Sequence, residues 1–493
     1  MSINFRWGRF ASWCRKNGLF CAIISWIFLA IIAYTLLSAI WGDGHGWNRV
    51  LTGWHIGATH DPLDRIKVTL TALGGVGAVG YLVIKYRERA ALERGEADEK
   101  LVRAVQQLGD PSPQVRIAGV YALADVADTY EGPYHQRVVD ILCGYLRTDR
   151  LLKNSNGETR YASNKDGSPN YDLPLSSDGP VESAILSIIA NHLRSPCADS
   201  DNKDGDSATS GPWSSYRIDL HNTTLTEQVN FADCHFKQLD LRRAKLLDLA
   251  IFSRSHFIGS ASFEYSTFKQ PARFDRTHFE STSSFHGANF ERDTHFNDVK
   301  FDLASYFNEV TFAGTSKFCG TLFYNLCDFT GSTFMQDALF YNIKFGLASY
   351  FYEVTFAGRS DFHKSVFSDI CYFTDSTFMQ DALFKETEFF KAKFDKCTFM
   401  QGVDFTPSKI ESSDAAWTLD TGNPPLYMLD GNLKSTFFGA NFNTKLRNTD
   451  KIIFPEHHRL SISRSSQSKM NGLPEGAVWV DFETPEYHSL LQE

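Results

Sequence analysis

The amino-acid sequence predicts a mixed protein, with helices in the N-terminal part and a β-solenoid behind them. Three observations carry this. Phenylalanine recurs with a fixed stride from Phe252 to Phe405, a 44-residue block is repeated, and an uncharged run of about 23 residues stands at Leu19–Trp41. A fixed period is read first, because missing it miscalls the whole fold.

From Phe263 the gaps alternate between five and six: Phe263, Phe268, Phe274, Phe279, Phe285, Phe290 and onward to Phe384 and Phe389. Phe307, Phe312, Phe329, Phe334, Phe351, Phe356, Phe373 and Phe378 continue the same ladder. Two residues before nearly every Phe stands a small or β-branched residue, as at Ala261, Ser266, Ala272, Thr277, Ser283 and Ala288. A helix cannot use this stride, since five residues leave side chains roughly 140° apart and no apolar stripe forms. Period two of a plain strand does not generate it either. A chain that turns a corner about every five residues does. The Phe and the small residue two before it then both point inward, as alternation along a short strand requires. These Phe form the expected structural core.

The block 303–346 is echoed at 347–390, as in LASYFNEVTFAG against LASYFYEVTFAG. The offset is 44 residues. The Phe are kept, and many changes, such as Lys317 against Asp361, fall on outward positions.

The units ADCHF at 232–236, GANFE at 287–291 and DALFK at 381–385 resemble the pentapeptide-repeat family. The resemblance implies a right-handed, quadrilateral β-helix with about four units per coil. It covers roughly 220–405, with a resumed piece at 436–442 (TFFGANF). The family's usual stride is five throughout. Here every second unit carries a sixth residue, expected at a corner or a small bulge, so that four units make a coil of about 22 residues and the 44-residue offset spans two coils.

In chain order, residues 1–18 form a basic N-terminus. Leu19–Trp41 is long enough to span a bilayer. After a loop at 42–67, Val68–Ile84 is a second candidate span, with glycines suited to close helix packing. Arg6, Arg9, Arg15 and Lys16 precede the first span and Lys85, Arg87, Arg89 and Arg94 follow the second. This bias predicts a transmembrane helical hairpin with both termini in the cytoplasm, at the bacterial plasma membrane. Residues 85–195 predict a small all-α module, with proline-led helix starts at Ser112-Pro113 and after Gly132, and a polar linker at 150–180. The module resembles HEAT-type helical pairs. A linker at 196–215 leads to the repeats at 216–405. An excursion and final repeat occupy 406–445, and 446–493 is a tail whose Trp479, Val480 and Phe482 are expected to cover the open end of the β-helix.

Little chemistry is legible. No phosphate loop, dinucleotide fingerprint or nucleophile elbow is present, so the expectation is no enzyme, no catalytic residue, no cofactor and no metal. The nine Cys have no zinc-site spacing. Cys234, Cys327, Cys371 and Cys397 occupy small inward positions and fit a reducing compartment. The stretch 199–207 is calcium-loop-like in composition only, since Ser200 would take the first ligand position and Gly211 the last.

The expected role is a membrane-anchored scaffold that binds a protein partner through the outer face of its rod, with self-association open. The alternative, implied by the best-known pentapeptide-repeat proteins, is a DNA mimic that binds gyrase. A rod near 40 Å long would need roughly 24 charges to match B-DNA. Residues 218–405 carry 24 Asp and Glu against 18 Lys and Arg, which leaves too little net charge, so no direct nucleic-acid contact is expected either. Residues 22 apart stack in columns, and one outward column brings up Tyr306, Tyr350 and Tyr372. Tyrosine offers contact area at low entropic cost, so this column is the candidate partner face.

Overall fold

The computed structural model describes residues 62–194 and 210–405, together with Phe28, Ile32 and three short strands at 441–443, 452–453 and 478–480. The chain divides into two units, Met1–Glu99 and Lys100–Glu493. The first candidate span, the calcium-like stretch and most of the 406–445 excursion lie outside the described residues.

Helix α1 runs unbroken over Pro62–Leu108. The boundary expected after Ile84 is therefore not a helix end. Among the described residues no helix is long and apolar enough to cross a membrane.

The second unit begins with a small module. Helix α2 (Pro113–Tyr130) and helix α3 (Pro133–Leu146) each start on a proline, which suits the first turn because its missing N–H has no helical partner. Ser112 is the N-cap of α2, but its side chain makes no cap bond; Asp110 instead accepts from the Ser112 amide at 2.8 Å. The expected linker at 150–180 is not irregular. Strands β1 (Tyr161–Ser163) and β2 (Pro169–Pro174) pair antiparallel. Asp166 bonds the Ser168 amide at 3.0 Å, and Gly167 supplies positive φ in the loop. Helix α4 (Gly179–Leu193) completes the module.

Behind it stands the β-solenoid. Its strands fall into four parallel ladders, so each coil has four sides. Ladder A contains His256–Phe257 and His278–Phe279, ladder B Ala261–Ser262 and Ser283–Ser284. Ladder C contains Thr267–Phe268 and Asn289–Phe290, ladder D Ala272–Arg273 and Thr294–His295. Partners are 22 residues apart through most of the rod. The step shortens to 21 at Phe236↔Phe257 and at Phe378↔Phe399, where the Phe stride slips.

The alternating gaps now have a physical origin. Six-residue gaps turn the open bends that follow ladders A and C. Five-residue gaps turn a tight corner with one residue in the left-handed region, such as Tyr265 (φ 54°), Arg276 (φ 59°) and Asp298 (φ 55°). Gly287, Gly320 and Gly331 take the same place in the series. The extra residue thus sits at a corner, as expected.

The ladder Phe from Phe263 to Phe384 are buried, as are Ala261, Ser266, Ala272, Thr277 and Ser283, while Phe389 is half-buried. Rings stack from coil to coil, with centroids 4.7 Å apart at Phe263–Phe285 and 4.8 Å at Phe285–Phe307. Neighbouring columns meet edge to face, as at Phe263–Phe274 (5.5 Å, 89°). Such pairs add about 0.5–1.5 kcal/mol beyond area burial.

Beyond Phe405 the rod resumes. Asn441–Asn443 pairs with Thr398–Phe399, and Ile452–Ile453 with Val403–Asp404. Val478–Val480 then pairs in parallel with Asn441–Asn443. The tail segment expected to cover the open end is itself a rung. The backbone pattern allows this because an extended apolar triplet fits the ladder without a full repeat unit.

The opposite end is covered by the helical module. The first coil would otherwise present unpaired amides and carbonyls. Glu182, on α4, accepts from the amides of Thr226 (2.7 Å) and Glu227 (3.0 Å). Arg150 pairs with Glu182 and donates to the Thr224 carbonyl at 2.8 Å. Gln136 both accepts from the Arg217 amide and donates to its carbonyl, each at 3.1 Å. Arg194 donates to the carbonyls of Asn230 and Ala232. One hydrophobic core runs from Ala104 to Phe405.

Candidate functional site

The candidate face is built by ladder B. Its register stacks Ser262, Ser284, Tyr306, Asp328, Tyr350, Tyr372 and Lys393 in one column. Each is the residue before a Phe or its equivalent, so burying the Phe turns it outward. All three expected tyrosines stand on this column.

They do not form an even strip. Tyr306 is separated from the others by Asp328, which accepts from the Thr330 amide at 2.9 Å and so is held to its own corner. Tyr350 and Tyr372 are one rung apart, with ring centroids 5.6 Å from each other. Tyr352 joins them, 5.1 Å from Tyr372 and stacked at 25°. Lys393 sits 5.3 Å over the Tyr372 ring, a favourable cation–π position. The densest part of the face is thus Tyr350, Tyr352, Tyr372 and Lys393. Tyr352 and Lys393 escaped the column argument. Tyr352 follows the Phe instead of preceding it, and the one-residue slip near Phe394 shifts Lys393 out of the 22-residue count.

Burial, then the neighbouring Tyr372 and Tyr350, pushes the Tyr352 hydroxyl far above its ordinary range. Burial and Tyr350 raise Tyr372 in the same way. These phenols stay neutral at physiological pH.

Among the described residues, two titratable clusters lie elsewhere. On ladder A, His256 and His278 stack with centroids 4.9 Å apart and planes at 2°. His256 Nε2 lies 2.7 Å from Glu280 and His278 Nε2 lies 2.8 Å from Asp302. No metal set is read from the linear sequence, yet one ligand atom from each of His256, His278 and Glu280 lies within 4.8 Å of the others. The 22-residue step between the histidines is the signal that marks the pair. Near the module, Asp219, His221 and Asp240 also cluster. There the carboxylates are taken by Arg147, Arg217 and Arg242, which makes them part of the seam between module and rod.

The cysteines are free thiols where described, with Cys234, Cys327, Cys371 and Cys397 buried. Burial pushes Cys234 up to about 12 and Cys371 well above its usual value. They are packing residues.

The four-sided coil, the inward Phe and the small residue two before it define a β-solenoid repeat protein. The profile for pentapeptide repeats (9 copies) matches residues 252–300 and 340–388, and the solenoid is a pentapeptide-repeat domain. No curated protein and no solved structure matches the chain.

Proposed function

We propose that this chain is a membrane-anchored scaffold whose pentapeptide-repeat rod lies in the cytoplasm and holds a protein partner on its tyrosine face. The observation that carries the reading is the cluster of Tyr350, Tyr352 and Tyr372 on a rigid ladder. Large aromatics gathered on an outer surface supply contact area that loses little entropy on binding. The scaffold role agrees with a repeat fold, since a solenoid presents extended, rigid faces. In this reading the chain catalyses nothing.

Anchoring rests on Leu19–Trp41, with no charge across about 23 residues. In the second candidate span, Val79, Tyr81, Leu82, Val83 and Ile84 of α1 are exposed and offer apolar surface to a bilayer, although no described helix is apolar enough by itself to cross one. The positive-inside bias then places both termini in the cytoplasm.

The test replaces Tyr350, Tyr352 and Tyr372 with Ser in the full chain. Proteins recovered with the parent from solubilised bacterial membranes should be lost with the variant while its melting temperature stays close to the parent's. Recovery of the same proteins by a folded variant would refute the face. For the anchor, a reporter active only outside the cytoplasm should be silent at the C-terminus and active when inserted near Gly53. A strong C-terminal signal would overturn the topology.

A further inference from the structure

We propose that His256, His278 and Glu280 bind a single transition-metal dication of the zinc class on the outer face of ladder A. The argument starts with the ladder. His256 and His278 are direct partners on adjacent coils, and the buried Phe257 and Phe279 beside them fix both backbones. The imidazoles are held parallel and one rung apart. Each Nε2 faces a carboxylate 24 residues on, Glu280 for His256 and Asp302 for His278. Both nitrogens are therefore turned toward the column that carries Glu280 and Asp302.

This geometry suits a metal ion better than a row of ion pairs. Zinc takes imidazole nitrogen at about 2.0–2.1 Å and carboxylate oxygen at about 2.0–2.2 Å. The three donor atoms lie within 4.8 Å of one another. Small rotations of two half-exposed rings and one glutamate bring them around a common centre, with no movement of the sheet. Two imidazoles and one carboxylate are a recurrent zinc set with one position left open. Asp302 stands at the edge of the site, 2.8 Å from His278 Nε2, as a further oxygen donor once that nitrogen turns to the ion. Nitrogen donors favour zinc, copper or nickel over calcium and magnesium. On loading, the ion takes the place of the hydrogen bonds at both Nε2 atoms, and each ring ligates as the neutral imidazole with its proton on Nδ1.

The ladder also limits the site to one ion. Above His278 the next partner is Lys300, a cation that ends the row. Below His256, His235 is a ladder partner, but its ring meets His256 at 67° and so is not aligned with the pair.

The experiment uses the full chain, purified without a histidine tag and stripped with chelator. Calorimetric titration with zinc chloride should show one bound equivalent for the parent. His256→Asn with His278→Asn should abolish it, and Glu280→Gln, which removes a direct ligand, should weaken it by at least the ~10–100-fold typical of losing a partner one shell further out. His221→Asn, in the cluster already held by arginines, should leave binding unchanged. All four side chains reach outward, so the variants should melt with the metal-free parent. Cobalt(II) on the parent should give a visible d–d band that the double variant lacks. Uptake of zinc with unchanged stoichiometry and affinity by the double variant, or none by the parent, would overturn the site and leave the row as ion pairs.

Discussion

Phe329 is fully buried and touches six other phenylalanines. It stacks between Phe307 and Phe351 at 4.8 and 5.0 Å. Phe329→Ala should cost about 3–5 kcal/mol, since neighbouring coils cannot collapse into the gap without breaking register. Lys317→Ser, on an outward position, should stay within about 0.5 kcal/mol; equal losses in chemical denaturation would mean the register is wrong. The buried serines separate more finely. Ser332 Oγ donates to the Phe307 carbonyl at 2.5 Å and accepts from the Val310 amide at 3.2 Å. Ser316 is equally buried, but its hydroxyl has no partner among the described residues. Ser332→Ala should therefore destabilise by about 1 kcal/mol or more, whereas Ser316→Ala should be neutral or stabilising, because a buried unpaired hydroxyl costs free energy. A melting-temperature comparison decides it. Both serines were legible as inward from the stride alone. Their difference was not, because it depends on which corner, tight or open, brings a carbonyl within reach.

At the scale of elements, the corners and the helices of the module were legible, and the hairpin inside the module was not. The alternation of five and six signals two kinds of turn, yet residue type does not reveal the left-handed position, which Asp, Glu, Arg, Lys, Tyr and Asn all occupy. Coil stacking overrides the local preference that would reserve this place for Gly or Asn. In the module, Pro113, Pro133 and Pro180 mark the starts of α2, α3 and α4. The β1–β2 hairpin was missed because its strands are short and polar and lack alternation, although Asp166-Gly167 is a turn signal. Nor does any sequence pattern announce Glu182 as the residue that closes the first coil. Its carboxylate is fully buried, pairs with Arg150 and accepts two backbone amides. Glu182→Ala leaves Arg150 buried without its counter-charge and two amides unpaired. The expected cost is about 3–5 kcal/mol, read as a drop in the denaturation midpoint. A loss below about 1 kcal/mol would show that water or another side chain replaces the carboxylate.

For the whole molecule, the stride carries the corner spacing and the inward register of the rod, while its four sides are what the resemblance to pentapeptide repeats implies. The ends follow from neither, because an end is defined by what stops pairing. The two ends are managed differently. At the N-terminal end, module side chains satisfy the first coil. Toward the other end, the described chain adds rungs beyond residue 440: Asn441–Asn443 and Ile452–Ile453 pair onto Thr398–Phe399 and Val403–Asp404, and Val478–Val480 pairs onto Asn441–Asn443. Removing residues 406–493 should therefore bare two ladders of parallel strand at Phe399 and Asp404. A flat edge of this kind is a template for another chain. The truncated protein should associate with itself in a concentration-dependent way in sedimentation velocity, while the full chain under the same conditions should show less association. Adding Lys at the bared strand, as Val403→Lys in the truncated chain, would disrupt the core, since Val403 is buried. Asp404→Lys instead keeps the inward register and places a cation on the outer side of the edge, so it should reduce association. A truncated chain that remains monomeric at high concentration would show that the later rungs do not protect the edge.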